Sequence, residues 1–103
     1  MISYQQEIYQ LISRIPKGKV LTYKIIASSF GLTNPRQVGK ILHVNKDPIN
    51  IPCHRVVRSS GTLASNYAFG GIKSQKKKLL REGVKFSGRK INLNIYLWNQ
   101  KSS

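Results

Sequence analysis

The sequence predicts a mainly α-helical single domain, a winged-helix-like helix-turn-helix with a small β-hairpin. Three observations lead there. Ile8, Leu11, Ile12 and Ile15 recur at helical spacing with polar residues between them. Thr22, Gly31, Asn34 and Pro35 punctuate two further amphipathic segments separated by a tight turn. Short alternating stretches broken by Gly turns follow.

The first helix runs from Tyr4 to Arg14, with Ser3 as its cap and Glu7 in its first turns, where an acid is favourable. Pro16-Lys17-Gly18 stops it, and Lys19-Val20-Leu21 is a short extended piece. Thr22 caps a second helix, Tyr23 to Phe30, and Gly31 supplies the left-handed residue that ends it. Asn34 caps a third helix from Pro35 to about Val44, with Pro at its first position and Val38, Ile41 and Leu42 inward. Lys46 to Pro52 is irregular. Val56-Val57 is strand-like, and a turn near Gly61 returns the chain at Leu63 as a hairpin. Tyr67 to Gly71 is a loop, and Lys73 to Arg81 is a basic helix ended by Gly83. Val84 to Ile95 reads as two short strands around Ser87-Gly88, Trp98 closes the fold, and Asn99 to Ser103 is a frayed tail.

A length of 103 residues fits one domain, and 40% hydrophobic with 20% charged residues is a globular composition. No apolar run is long enough for a transmembrane helix. Met1 to Glu7 lacks the basic and apolar regions of a signal peptide, so an intracellular protein is expected. One cysteine excludes an intramolecular disulfide and a zinc site of soft ligands, and two histidines do not rescue a metal site. No metal and no cofactor are expected. Eighteen Lys and Arg against three acids give a net charge of +15. That excess points to a polyanionic partner: nucleic acid first, an anionic membrane surface second. Its plainer use is solubility.

Cys53 stands beside His54 and Arg55. A thiol is nucleophilic only as the thiolate, which a nearby base or cation favours. The plainer role of a single cysteine is as a small buried hydrophobe. Neighbours in sequence often point apart, so a base at His54 would work through a water. Asp47 and Glu82 are the acids that could orient His54: Asp47 suits a turn before Pro48, and Glu82 could fold back or simply balance Lys78 and Lys85. The Pro35 helix is a candidate recognition helix, with Arg36 at its start, Lys40 one turn on and Gly39 leaving a thin surface between them. It could also serve packing alone. Residues 73–90 hold eight Lys and Arg against Glu82, suited to phosphate or to solvent.

Pro52-Cys53-His54-Arg55-Val56-Val57 resembles the active-site signature of the O6-alkylguanine-DNA alkyltransferases, the methylated-DNA–protein-cysteine methyltransferases. The flanks agree: Ile15-Pro16-x-Gly18-x-Val20-x-Thr22-Tyr23, Arg36-x-Val38-Gly39, Asn45, Ser59-x-Gly61-x-Leu63 and Leu79-Leu80-x-Glu82-Gly83. The resemblance runs from about Tyr4 to Trp98.

The resemblance implies a monomer that binds double-stranded DNA containing O6-alkylguanine through the minor groove and flips the damaged base. Cys53 is then the alkyl acceptor, His54 its base through water, Glu82 the partner of His54, and Asn45 the holder of the active-site turn. Arg36 fills the gap in the base stack, and Tyr23 helps rotate the nucleotide and bonds the base. The carbonyls of Cys53 and Val56 read the guanine amino group. The loop at Tyr67, Phe69 and Gly70 closes over the base, with either Tyr67 or Phe69 as its aromatic. Thr22, Tyr23, Pro35, Arg36, Gln37, Gly39, Lys40 and Arg55 are the expected DNA contacts. The thioether product is stable, so each molecule would react once. Full-length members of the family carry an N-terminal domain, which holds any zinc; this chain is expected to be the remaining domain alone. Its length and its tail from Gly88 to Trp98 also resemble alkyltransferase-like proteins, which bind alkylated DNA without transfer and typically carry Trp in place of the reactive cysteine. Cys53 favours transfer. A sequence-specific regulator is a third reading, and it leaves Cys53-His54 without a role.

Overall fold

The computed structural model describes residues 4–63 and 69–99. Among them are five helices and two small two-stranded sheets. Helix α1 spans Tyr4–Ser13 and buries Ile8 and Ile12. Strand β1, Leu21–Thr22, runs directly into α2, Tyr23–Ser29. The Thr22 side chain accepts from the Ile25 N–H at 3.1 Å, so one residue both ends the strand and caps the helix. Gly31 turns the chain with φ at +69°, and Asn34 caps α3, Pro35–His43, by accepting from the Arg36 N–H at 2.9 Å. Helix α2 packs on α3, completing the expected helix-turn-helix.

A single 3-10 turn, Cys53–Arg55, leads into β2, Val56–Val57. Here one expectation is corrected. Strand β2 pairs in parallel with β1, Leu21 opposite Val56 and Thr22 opposite Val57, not with a returning strand at Leu63. The turn near Gly61 does form, closed by Gly61 N–H to Arg58 O at 2.8 Å, but the chain leaving it bridges Lys90 through Thr62. Gly61 is required there. Its φ is +88°, and a Cβ would stand 2.5 Å from the Ile91 carbonyl oxygen.

Helix α4 spans Gly71–Arg81, starting two residues before Lys73, after Gly70 at φ +113°. Strands β3, Phe86–Ser87, and β4, Lys90–Ile91, form the expected antiparallel pair. The second of them does not continue to Ile95 as its alternation suggests. It stops at Ile91, and Leu93–Tyr96 make a one-turn helix, α5, capped by the Asn92 side chain. The chain then returns to Val20, whose N–H donates to Tyr96 O and whose carbonyl accepts from the Trp98 N–H, both at 2.8 Å. Ser3, Tyr67 and the residues after Asn99 lie outside the described residues.

Two apolar clusters hold these elements. The first joins α1, α2 and α3 through Ile8, Ile12, Leu21, Ile26, Val38 and Leu42, with Cys53 and Val56 at its margin. The second joins β2, α4 and the β3–β4 hairpin through Val57, Leu79, Val84 and Ile91. Each fully buried branched side chain contributes about 1.5–3 kcal/mol. The β1–β2 pair lies between the clusters, so the Cys53 turn is seated where both cores meet. No described helix is long and apolar enough to cross a membrane.

Candidate nucleic-acid interface and thiol site

The turn from Asn45 to Val56 is held by its own polar groups. Asn45 is buried; its amide donates to Ile51 O and its carbonyl accepts from the Asp47 N–H, both at 2.9 Å. The Cys53 N–H donates to Ile51 O at 2.7 Å, so Asn45 and Cys53 share one acceptor. Asp47 is taken up by Asn50, which excludes it as the orienter of His54.

Cys53 is buried, and burial pushes its thiol pKa up. A hydrogen bond from the Asn45 side chain, the charge of Lys78 and the Cys53 backbone oppose that without cancelling it. The resting residue is therefore a thiol. His54 Nε2 lies 3.0 Å from Glu82 Oε2, while Nδ1 is buried with no protein partner. Burial lowers the His54 pKa, and Glu82 only partly restores it. A neutral ring whose Nε2–H faces a carboxylate leaves Nδ1 as a bare acceptor. Burial opposes ionisation of Glu82, but Arg55 and His54 outweigh it and hold the carboxyl below its ordinary range.

Arg55 is engaged within the protein. The sequence reading places it among the DNA contacts, yet its guanidinium is turned inward: Nε donates to Glu82 Oε1 at 2.9 Å and Nη1 to Ile15 O at 2.7 Å. The Ile15 carbonyl, just after α1, and the Glu82 carboxylate hold it in place of solvent. Thr22 is likewise buried as a cap.

Tyr23, at the start of α2, has its pKa raised to about 12 by burial and then by the nearby Cys53, against a lowering by Arg58. It is therefore a firm hydroxyl donor within the electrostatic reach of the thiol. Tyr23 also lines an open groove of about 1070 Å³ together with Pro35, Arg36, Gly39 and Lys40. Sequence reasoning missed the rest of that lining, which includes Lys24, His43, Arg58, Ser59 and Ser60. Four of the lining residues are Lys or Arg, and none is an acid. Gln37 is exposed on α3 but does not line the groove. Phe69 packs against the first cluster with Lys78 Nζ 5.6 Å from its ring centre, and Gly70 precedes α4. Tyr67, the other candidate for the loop aromatic, lies outside the described residues.

Gln75 has no counterpart among the sequence-predicted site residues. It is buried on α4, and its amide donates to His54 O at 3.1 Å and Val56 O at 3.0 Å. A glutamine in a lysine-rich helix gives no local sign of such a task.

Residues 3–84 match the profile of the 6-O-methylguanine DNA methyltransferase DNA-binding domain. The chain belongs to that family. It is 42% identical over 86 residues to a methylated-DNA–protein-cysteine methyltransferase of Methanothermobacter thermautotrophicus, covering 84% of this chain and 47% of the relative. The chain thus spans about half the length of such methyltransferase relatives. It is 34% identical over 104 residues to alkyltransferase-like protein 1 of Schizosaccharomyces pombe, covering 95% of this chain and 96% of that protein. The crystal structure of that protein with damaged DNA containing O6-carboxymethylguanine superposes with a TM-score of 0.82 at 33% identity, over 96% of this chain and 99% of that one.

Proposed function

We propose that this protein recognises O6-alkylguanine in double-stranded DNA as a lesion-binding protein of the alkyltransferase-like kind. The observation that carries the reading is the cationic groove of Tyr23, Arg36 and Lys40 in a chain that superposes almost end to end on a relative solved with alkylguanine DNA. The groove cations meet the phosphate backbone, and Gly39 lets it approach α3. Arg36 occupies the space left by the extruded base. Tyr23 donates to the base, and the Cys53–Val56 turn offers backbone carbonyls to its amino group. Phe69 and Gly70 bound the site on the α4 side.

A second reading adds transfer of the alkyl group, and the identity of residue 53 favours it. Nδ1 of His54 takes the Cys53 proton through a water, and Glu82 steadies the imidazolium. Sγ attacks the alkyl carbon in line, an S–C bond forms, and the C–O bond breaks. The electron pair goes to the base, where a donor such as Tyr23 stabilises it. No described group could cleave the thioether, so the reaction is single-turnover.

One experiment separates the readings. The protein is incubated with a duplex containing a single O6-methylguanine, and both intact mass and affinity are measured. Lesion-selective binding without a mass change supports the lesion-binding reading. One added methyl group on Cys53, absent in Cys53→Ala, establishes transfer. Equal affinity for damaged and undamaged duplexes with no mass change overturns both.

A further inference from the structure

The groove uses Lys24, Arg36, Lys40 and Arg58, which leaves most of the positive charge elsewhere. Much of it lies on α4. Between Gly71 and Arg81 there are five Lys and Arg and no acid. Leu79 and Gln75 face inward, and Lys73, Lys77 and Arg81 are exposed on the opposite face. They follow one another at i and i+4, the spacing at which like charges on a helix repel. No carboxylate side chain relieves them. Glu82 is engaged by His54 and Arg55, Asp47 by Asn50, and Glu7 lies on α1.

We propose that this outer face of α4 is a second DNA contact, binding the phosphate backbone of a duplex segment other than the one in the groove. The row spans about 12 Å at a rise of 1.5 Å per residue, so its three cations lie along a short stretch of phosphate backbone. None of the three residues lines the groove, and Gln75, on the opposite side of the helix, packs on the Cys53 turn, so the row points away from that turn. Cations with no counter-charge of their own suit a polyanion whose condensed counterions are released on contact. A protein with both surfaces holds two duplex segments together.

The test uses the whole protein and undamaged DNA, so it does not depend on lesion recognition. A bead-tethered duplex is loaded with protein at physiological salt, and retention of a second, labelled duplex is measured. The comparison is between Lys73→Gln/Lys77→Gln and Arg14→Gln/Lys17→Gln, which remove the same charge from exposed positions. Circular dichroism verifies that each variant is folded. The α4 pair is expected to lower retention at least about tenfold and to flatten the salt dependence of bridging by about 0.9 for each phosphate no longer neutralised. The control pair is expected to retain the second duplex. No bridging by the unsubstituted protein, or equal loss in both pairs, overturns the proposal. So does an α4 pair that bridges normally but no longer floats with phosphatidylserine vesicles, which would assign the face, with its half-exposed Leu80, to anionic lipid.

Discussion

His54 Nε2 sits 3.0 Å from a Glu82 oxygen, and Arg55 grips the same carboxylate through Nε at 2.9 Å. One carboxylate thus fixes the tautomer of the histidine and neutralises the neighbouring arginine. Its loss would strand a largely buried guanidinium, whose side chain is 16% exposed against 9% for Glu82. Glu82→Gln is expected to cost about 3 kcal/mol, since breaking a buried pair leaves an uncompensated charge. At about 4–8 °C per kcal/mol, Tm falls by roughly 12–24 °C. A fall of only a degree or two by calorimetry would mean the pair is solvated.

The same cluster sets a pH dependence. The folded pKa of His54 lies below its ordinary 6.5, so between the two values the unfolded chain binds the proton and the folded one does not. Its contribution is full above 6.5 and is lost as pH falls below it. Glu82 is also lowered, from 4.5, so its contribution is lost only in more acid solution. Acidification should therefore lower Tm in two stages. His54→Gln should remove the upper stage and leave the lower. A Tm that stays flat from pH 7 to pH 5 would contradict the assignment of a neutral buried ring.

Much of this fold is legible locally. Thr22, Gly31 and Asn34-Pro35 state α2, the turn and α3, because caps and left-handed residues act within a few positions. The parallel β1–β2 pair is not legible, since each strand is two residues long and neither carries a period of its own. Val56-Val57 marks a strand without naming its partner. Helix α5 is a single turn and falls below any periodicity. At the site, the family resemblance pairs His54 with Glu82, and the geometry agrees. The tasks of Arg55 and Gln75 escape a reading of the sequence because their partners are backbone carbonyls and a carboxylate distant along the chain.

Cys53 should be a slow thiol when no DNA is bound. Burial raises its pKa above 9.0, and the Asn45 hydrogen bond is the largest of the opposing effects. Iodoacetamide modification at pH 8, followed by intact mass, is expected to be slower than for free cysteine. Asn45→Ala should raise the thiol pKa further. It should also cost about 1 kcal/mol, because it removes one of the two donors to Ile51 O and the acceptor of the Asp47 N–H. A fast-reacting Cys53 would show that the thiolate is already formed at neutral pH, which the present geometry does not provide.

Arg36 and Lys40 both line the groove, but their tasks differ. Lys40→Ala should weaken damaged and undamaged duplexes alike and reduce the salt slope by about 0.9, one phosphate contact. Arg36→Ala should instead remove preference for the lesion, by about tenfold or 1.4 kcal/mol, because undamaged DNA leaves no gap to fill. Fluorescence anisotropy on matched duplexes distinguishes them. Identical behaviour of the two variants would reduce Arg36 to a backbone contact.

Gln75 gives the sharpest chemical test of how the thiol turn is held. Its amide supplies two N–H donors to the carbonyls of His54 and Val56, and its own oxygen is buried without a partner. Gln75→Met keeps the volume and removes both donors. The gain from deleting a lone acceptor does not offset two orphaned carbonyls, so a net loss of about 2 kcal/mol is expected. Gln75→Glu adds a pH signature. An ionised carboxylate facing two carbonyl oxygens has no donor, whereas the protonated acid keeps one. The folded pKa of the introduced carboxyl must therefore rise above its unfolded value. Its stability is retained below the unfolded value and lost as pH climbs through the folded one. Relative to the unsubstituted protein, Gln75→Glu should thus be least impaired in mild acid and most impaired at pH 8. Parallel Tm–pH curves for the two proteins would show that the amide donors do not hold the turn.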